Sequence, residues 1–290
     1  MLKHFSGKEI KPSRVVVLGA GGFVGSALTA KLEGRGVDVL RVLRQVIDLE
    51  SQDAGALLSE IVTENDTLVF ISAKAPVKNV EMLGANIKML DAVAKAVEAV
   101  SPKHILYVSS DAVYADSMKP LSEASSAEPS TLHGVMHLAR ETGLKHSYSG
   151  PLAILRPTLI FGAADPHNGY GPNRFCRQAQ AREKIVLFGE GEERRDHVFV
   201  EDVAELAARM IMHRSTGILN AATGTVTSFR ECAEIAVRLF DSSSEVVGSE
   251  RVGPMPHNGY RPFDPANTYK AFPDFTYTSL EAGLKKSHSL

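Results

Sequence analysis

Val17-Leu18-Gly19-Ala20-Gly21-Gly22-Phe23-Val24-Gly25 closes an apolar run that starts near Arg14 and opens a stretch with helical spacing through Leu32. Glycine at a strand end lets the chain turn sharply, lets the backbone approach a phosphate, and lets the next helix pack closely on the sheet. The N-terminus of that helix adds amide donors and a positive dipole end. The pattern Gly-x-Gly-x-x-Gly fails here, because Gly19 and Gly21 would need a third glycine where Val24 stands. Gly-x-x-Gly-x-x-Gly fits at Gly19, Gly22 and Gly25. The turn therefore predicts a strand, a phosphate loop and a helix, with Gly19, Gly22, Phe23, Val24 and Gly25 against a dinucleotide. The bland alternative is a tight strand-to-helix turn with no ligand.

Outward from this turn, apolar runs of strand length alternate with helical patterns. Strands are predicted near Arg14 to Leu18, Val37 to Leu43, Thr67 to Ser72, His104 to Ser109 and Leu152 to Arg156, and helices near Phe23 to Leu32, Asp53 to Val62, Gly84 to Val100 and Thr131 to Tyr148. Continuous rather than alternating hydrophobicity in the strands suits a parallel sheet covered on both faces. The fold class is α/β, a doubly wound Rossmann-type sheet. After Pro157 the texture turns Gly/Pro/Asn-rich, with helical patterns at Val203 to Met212 and Phe229 to Phe240. That divides the chain into a dinucleotide-binding domain over 1–157 and a smaller α+β substrate lobe over 158–290, with segments within about 196–226 packing back onto the first.

Composition narrows the function classes. A chain of 290 residues with a formal net charge of −2 and 44% hydrophobic residues has no basic footprint for nucleic acid. No stretch approaches the roughly 18 apolar residues of a membrane span, and the first ten residues lack the apolar core of a signal peptide, so a cytoplasmic location is expected. Cys176 and Cys232 have no Cys-x-x-Cys partner and read as packing residues.

The second strand ends Leu40-Arg41-Val42-Leu43-Arg44-Gln45, without the acid that would accept hydrogen bonds from an adenosine ribose. Arg44, helped by Arg41, can offer a planar fork to a 2′-phosphate, which favours NADP and leaves NAD open. A solvated arginine at a strand end is the bland alternative.

About a hundred residues on stands Val108-Ser109-Ser110-Asp111-Ala112-Val113-Tyr114. With the glycine turn it resembles the extended short-chain dehydrogenase/reductases of the NAD(P)-dependent epimerase/dehydratase family, which act on nucleotide sugars. The resemblance runs from Arg14 to Leu284 and implies a role for several residues. Ser110 would be the catalytic hydroxyl, with Ser109 beside the cofactor and Asp111 at a position used as an acid by dehydratases, though its usual acidic neighbour is Ala112 here. Asp48-Leu49 would meet the adenine, and Ala73-Lys74 the pyrophosphate and nicotinamide ribose. Leu155-Arg156-Pro157-Thr158-Leu159-Ile160-Phe161-Gly162 resembles a segment whose residues after proline, here Pro157 and Thr158, contact the carboxamide. Asn173, Phe188, Arg195 and Arg261 would hold the sugar nucleotide, the two arginines on its diphosphate. Asp202 reads as the cap of a helix starting at Val203. A homodimer through the Gly84 to Val100 and Thr131 to Tyr148 helices is also implied.

One departure is central. The family places a tyrosine twenty-three residues after the serine and a lysine one helical turn later. This chain has His133-Gly134-Val135-Met136-His137-Leu138-Ala139-Arg140-Glu141, so His133 stands for the tyrosine and His137 for the lysine. Imidazole titrates near neutrality, so His133 could exchange a proton with a carbonyl or hydroxyl while His137 donates to the ribose. The alternative is a nucleotide-binding subunit whose hydride site has decayed. A metal pair is disfavoured, since no third ligand is evident in this helix. The expected function is hydride transfer at a ring carbon of a nucleotide-activated sugar, as a 4-keto reductase or an epimerase.

Overall fold

The structure, a computed structural model, describes residues 2–289. In the first half, β1 (Val15–Leu18), α1 (Phe23–Gly34), β2 (Val39–Val42), α2 (Ala54–Ile61), β3 (Thr67–Phe70), α3 (Val80–Val100), β4 (His104–Val108), α4 (Leu132–Ser147) and β5 (Leu152–Pro157) alternate strand and helix. There follow β6 (Leu159–Phe161), α5 (Pro172–Gln180), β7 (Ile185–Phe188), β8 (Arg194–Phe199), α6 (Val200–Met212), β9 (Gly217–Ala221), β10 (Val226–Ser228) and α7 (Phe229–Leu239). The chain closes with β11 (Val246–Ser249), β12 (Tyr260–Arg261), α8 (Ala266–Ala271) and α9 (Leu280–Ser287). Among the described residues no helix is long and apolar enough to cross a membrane.

The central sheet has six strands in the order β2-β1-β3-β4-β5-β9. Every neighbouring pair is parallel. Side chains alternate between faces of a strand, so β1 feeds two cores. Val15 and Val17 pack with Leu28 and Leu32 of α1 and Val203 and Leu206 of α6. Val16 and Leu18 pack with Leu58 of α2, Val93 and Val97 of α3 and Leu144 of α4. Each such side chain contributes about 1.5–3 kcal/mol when fully buried, which is why a run with no polar residue is stable only in this central position. The chain moves from β1 to β2 on one side and then crosses to β3 on the other. A crevice opens at the carboxyl ends of the strands where that direction reverses.

Two helices start earlier than the sequence pattern predicts. Helix α3 begins at Val80 because the Asn79 side chain accepts a hydrogen bond from the Met82 amide and caps it. Helix α6 begins at Val200, so Asp202 is not its cap. The Asp202 carboxylate instead accepts the Thr278 amide at 2.7 Å and the Thr278 hydroxyl at 2.9 Å, tying the C-terminal segment to the sheet layer. Strand β9 pairs with β5, so part of the second half completes the central sheet. The remaining lobe is built on β8, flanked by β10, β12 and β6, with a separate β11-β7 pair. Phe175, Leu187 and Phe229 pack there with Cys176 and Cys232, both buried free thiols.

Candidate functional site

The glycine turn sits at the carboxyl end of β1. Gly19 has φ +92°, and a Cβ there would lie 2.8 Å from the Ser72 amide nitrogen at the end of β3. A Cβ on Gly25 would lie 2.1 Å from the Gly19 carbonyl oxygen, so glycine lets α1 close onto the turn. Gly22 precedes α1 with no side-chain cap, leaving the first amides of the helix to a ligand.

A cavity of about 1130 Å³ starts at this turn and runs across the strand ends into the second lobe. Of the residues expected at a cofactor, Gly19, Gly22, Phe23, Val24, Arg44, Asp48, Leu49, Ala73, Lys74, Ser109, His137, Pro157 and Thr158 line it. Arg44 is 68% exposed, with long contacts of 3.2 Å to Asp48 and 3.5 Å to Glu50. Arg41 is not in the cavity wall; its guanidinium pairs with Glu33 at 2.6 Å on the outer face of the sheet edge.

The two serines after β4 differ. Ser109 donates its hydroxyl to Glu141 Oε1 at 2.6 Å, and that fully buried carboxylate also takes Arg156 Nε at 2.8 Å. Ser110 lines the cavity with its Oγ accepting the Ala112 amide at 3.1 Å, and its hydroxyl hydrogen has only a long 3.4 Å contact with Asp111. Ser110 is thus the hydroxyl available to a ligand.

His133 and His137 share a face of α4, with Thr131 capping the helix through the Gly134 amide. Gly134 lets this first turn approach the chain after Ser110, since a Cβ there would be 2.0 Å from the Ala112 carbonyl. The imidazoles meet edge to face, ring centres 4.7 Å apart, and both line the cavity. Burial, opposed by Asp111, pulls the His133 pKa below its usual value, and its Nδ1 is buried with no partner among the described residues. His137 is pulled well below 6.5 by burial first, then by His133 and Arg140. Both shifts favour the neutral imidazole. Nδ1 of His137 is 2.7 Å from the Tyr107 hydroxyl of β4.

The substrate-side expectations divide. Arg195, on β8, lines the cavity with Nη1 3.1 Å from Glu193. Arg261 does not. Its guanidinium is 1% exposed and is used internally, on Asp111 Oδ2 at 2.9 Å, Asp116 Oδ1 at 2.9 Å and the Asp111 carbonyl at 2.7 Å. Asp111 is therefore an ion-pair partner at the cavity wall. Asn173 is turned inward, accepting the Gly162 amide at 2.8 Å and donating to Asp165 at 2.8 Å. Phe188 lies outside the cavity wall, 54% exposed and stacked on Tyr170 at 4.4 Å. Sequence reading missed His257, which lines the cavity beside Arg195 and pairs with Asp116. It also missed Tyr107 and Arg140, which carry no motif.

A parallel sheet with a glycine turn at its switch point, and a cavity leading from that turn into a second lobe, defines a Rossmann-type dinucleotide-binding protein. The chain belongs, more narrowly, to the NAD dependent epimerase/dehydratase family, whose profile matches residues 15–222. The UDP-N-acetyl-alpha-D-glucosaminuronate decarboxylase of Bacillus cytotoxicus is 24% identical over 269 residues, covering 81% of this chain and 82% of that one. Among solved structures, the UDP-glucose 4-epimerase of Thermotoga maritima with UDP-glucose superposes with a TM-score of 0.83 at 20% identity, covering 95% of this chain and 97% of that one. A GDP-L-fucose synthetase from Naegleria fowleri bound to NADP has a TM-score of 0.82 at 15% identity, covering 99% and 96%. The resemblance read from the glycine turn and the Ser109-Ser110 strand end is thereby confirmed at the level of family and fold.

Proposed function

We propose that this protein is an NADP-linked oxidoreductase or epimerase acting at a ring carbon of a nucleotide-activated sugar, with His133 in place of the family's tyrosine. The observation that carries the reading is the single cavity that holds the glycine turn, Ser110, both imidazoles and Arg195. A nicotinamide dinucleotide, when bound, supplies the hydride carrier. The turn fits such a group, since two of its glycines are required by backbone contacts and the uncapped amides of α1 face the opening.

The chain's own residues then take these roles. The amides of α1 hold the pyrophosphate. Arg44, loosely paired and open to solvent, takes the 2′-phosphate, while Asp48 and Leu49 bound the adenine side. Ser110 Oγ hydrogen-bonds the substrate oxygen on the reacting carbon, and His133 exchanges a proton with that oxygen. Neutral His133 accepts the proton of a sugar hydroxyl as the carbon is oxidised and returns it when the carbonyl is reduced. Arg195 is the cation for the diphosphate. His137 donates to the ribose.

Purified protein given NADPH and a panel of 4-keto nucleotide sugars should show turnover that His133→Ala abolishes. Arg44→Ala should weaken NADPH binding by roughly tenfold and leave NADH nearly unchanged, as the loss of one charge-assisted contact implies. Tight cofactor binding with neither turnover nor isotope exchange would overturn the catalytic reading in favour of a non-catalytic nucleotide-binding subunit.

A further inference from the structure

Helix α4 carries a third polar residue whose task the cavity does not explain. Arg140, one turn beyond His137, is completely buried. Among the described residues no carboxylate pairs with it. Its Nη1 donates to the Ser72 carbonyl at 2.7 Å, and Nη2 donates to Asn86 at its carbonyl, 3.0 Å, and its Oδ1, 2.8 Å. The guanidinium also lies 4.5 Å over the centre of the Phe70 ring. Satisfied by neutral acceptors alone, this cation keeps its full field for its neighbours.

One neighbour is the phenol of Tyr107, itself fully buried. The Tyr107 oxygen is 2.7 Å from His137 Nδ1 and meets no other acceptor among the described residues. Guanidinium only donates, so Arg140 cannot take the phenolic proton. If His137 donated from Nδ1, the Tyr107 O–H would be left buried without an acceptor among the described residues. The proton must therefore point from tyrosine to histidine.

We propose that Tyr107 and His137, beside the buried Arg140 cation, form a pair of fixed polarity: Tyr107 donates to Nδ1 of His137, so the imidazole carries its hydrogen on Nε2 and presents it to the cavity as a neutral donor. In a Tyr-x-x-x-Lys helix one ammonium supplies both the donor and the positive charge. Here His137 supplies the donor and the neighbouring Arg140 the charge, and Tyr107 is the positioning residue behind His137. This deepens the reading of His137 as the group at the lysine's place and rests on it. The groups that face His137 are Tyr107 from β4 and His133 and Arg140 from its own helix; the buried Glu141 carboxylate, one turn further on, also acts on Tyr107 and is held by Ser109 and Arg156.

The test is the tautomer, read from imidazole nitrogen shifts of histidine-labelled protein, with the His137 signals assigned by loss in His137→Gln. Wild type should show His137 as the Nε2–H tautomer with shifts constant between pH 6 and 8. Tyr107→Phe keeps the ring and removes the donor. It should give mixed tautomers and weaken dinucleotide binding roughly fivefold, the worth of one ordinary hydrogen bond. A wild-type His137 protonated on Nδ1, or charged at pH 7, overturns the proposal, as does an Nε2–H population that Tyr107→Phe leaves unchanged. The wild-type spectrum needs no variant, so a poorly folded Tyr107→Phe protein does not remove the test. No substrate is needed, so this result is separable from failure of the proposed activity.

Discussion

His133 is kept neutral chiefly by burial, against the pull of Asp111, and that fixes how its chemistry should depend on pH. Taking a proton from a hydroxyl requires the neutral ring. Sugar oxidation should therefore rise with pH through an inflection below 6.5 and stay flat above it. Carbonyl reduction draws on the imidazolium and should fall across the same window. Rate profiles in both directions check this, and oxidation that keeps rising above pH 8 would sink it. In His133→Tyr the inflection should move up by several units toward the phenol range near 10. Arg195 and Arg261 separate by similar reasoning. Arg195→Ala should raise KM for the nucleotide sugar, because Arg195 lines the cavity, and should also cost some stability, because its partner Glu193 is buried. Arg261→Met should cost about 3–5 kcal/mol by stranding Asp111, read as a lower denaturation midpoint before any effect on KM.

At the scale of elements, the joint between β1 and α1 depends on a missing side chain. Gly25→Ala would put a methyl 2.1 Å from the Gly19 carbonyl, a contact backbone cannot relieve without opening the turn. The expected outcome is a loss of roughly 2–3 kcal/mol together with most dinucleotide affinity, measured by denaturation and by titration with NADPH. A Gly25→Ala protein that binds NADPH normally would show that α1 does not need this close approach. The same elements show what sequence can carry. Continuous apolar runs announced the parallel strands, and the glycine spacing placed the tight turn from β1 into α1, because both are local consequences of backbone geometry and burial. The internal hydrogen bonds of Asn173 and Arg261 were not legible, for the opposite reason. A motif gives a residue's position in a segment, whereas its direction is set by partners elsewhere, such as Asp111, which is 150 residues from Arg261. Tyr107 and Arg140 were silent because a tyrosine in a β-strand and an arginine in a helix are ordinary until the fold brings them to one imidazole.

For the molecule as a whole, the histidines buried as neutral rings set its response to acid. Burial lowers His104 to about 4 and His197 to about 3, and it takes His137 well below 6.5. In the unfolded chain each titrates near 6.5, so below that pH the unfolded state binds more protons. A folded pKa that is depressed in this way gives stability that is present above the unfolded value and is lost as pH falls. Asp196, buried with a raised pKa, acts in the opposite sense, over the interval from its unfolded value of 3.8 up to its raised folded value. Between pH 7.5 and 5, His104 and His197 should therefore each remove about 2 kcal/mol of stability, 1.36 kcal/mol per unit below 6.5. His197 allows a clean check, because among the described residues neither of its ring nitrogens has a hydrogen-bond partner. His197→Leu gives up no bond, so it should match or exceed wild type at pH 7.5 and lose about 2 kcal/mol less on going to pH 5. Urea denaturation of the two proteins at both pH values decides it. An unchanged pH dependence in His197→Leu would mean that His197 is not buried as a neutral ring, and the acid response would have to be assigned to the remaining histidines and the ion pairs.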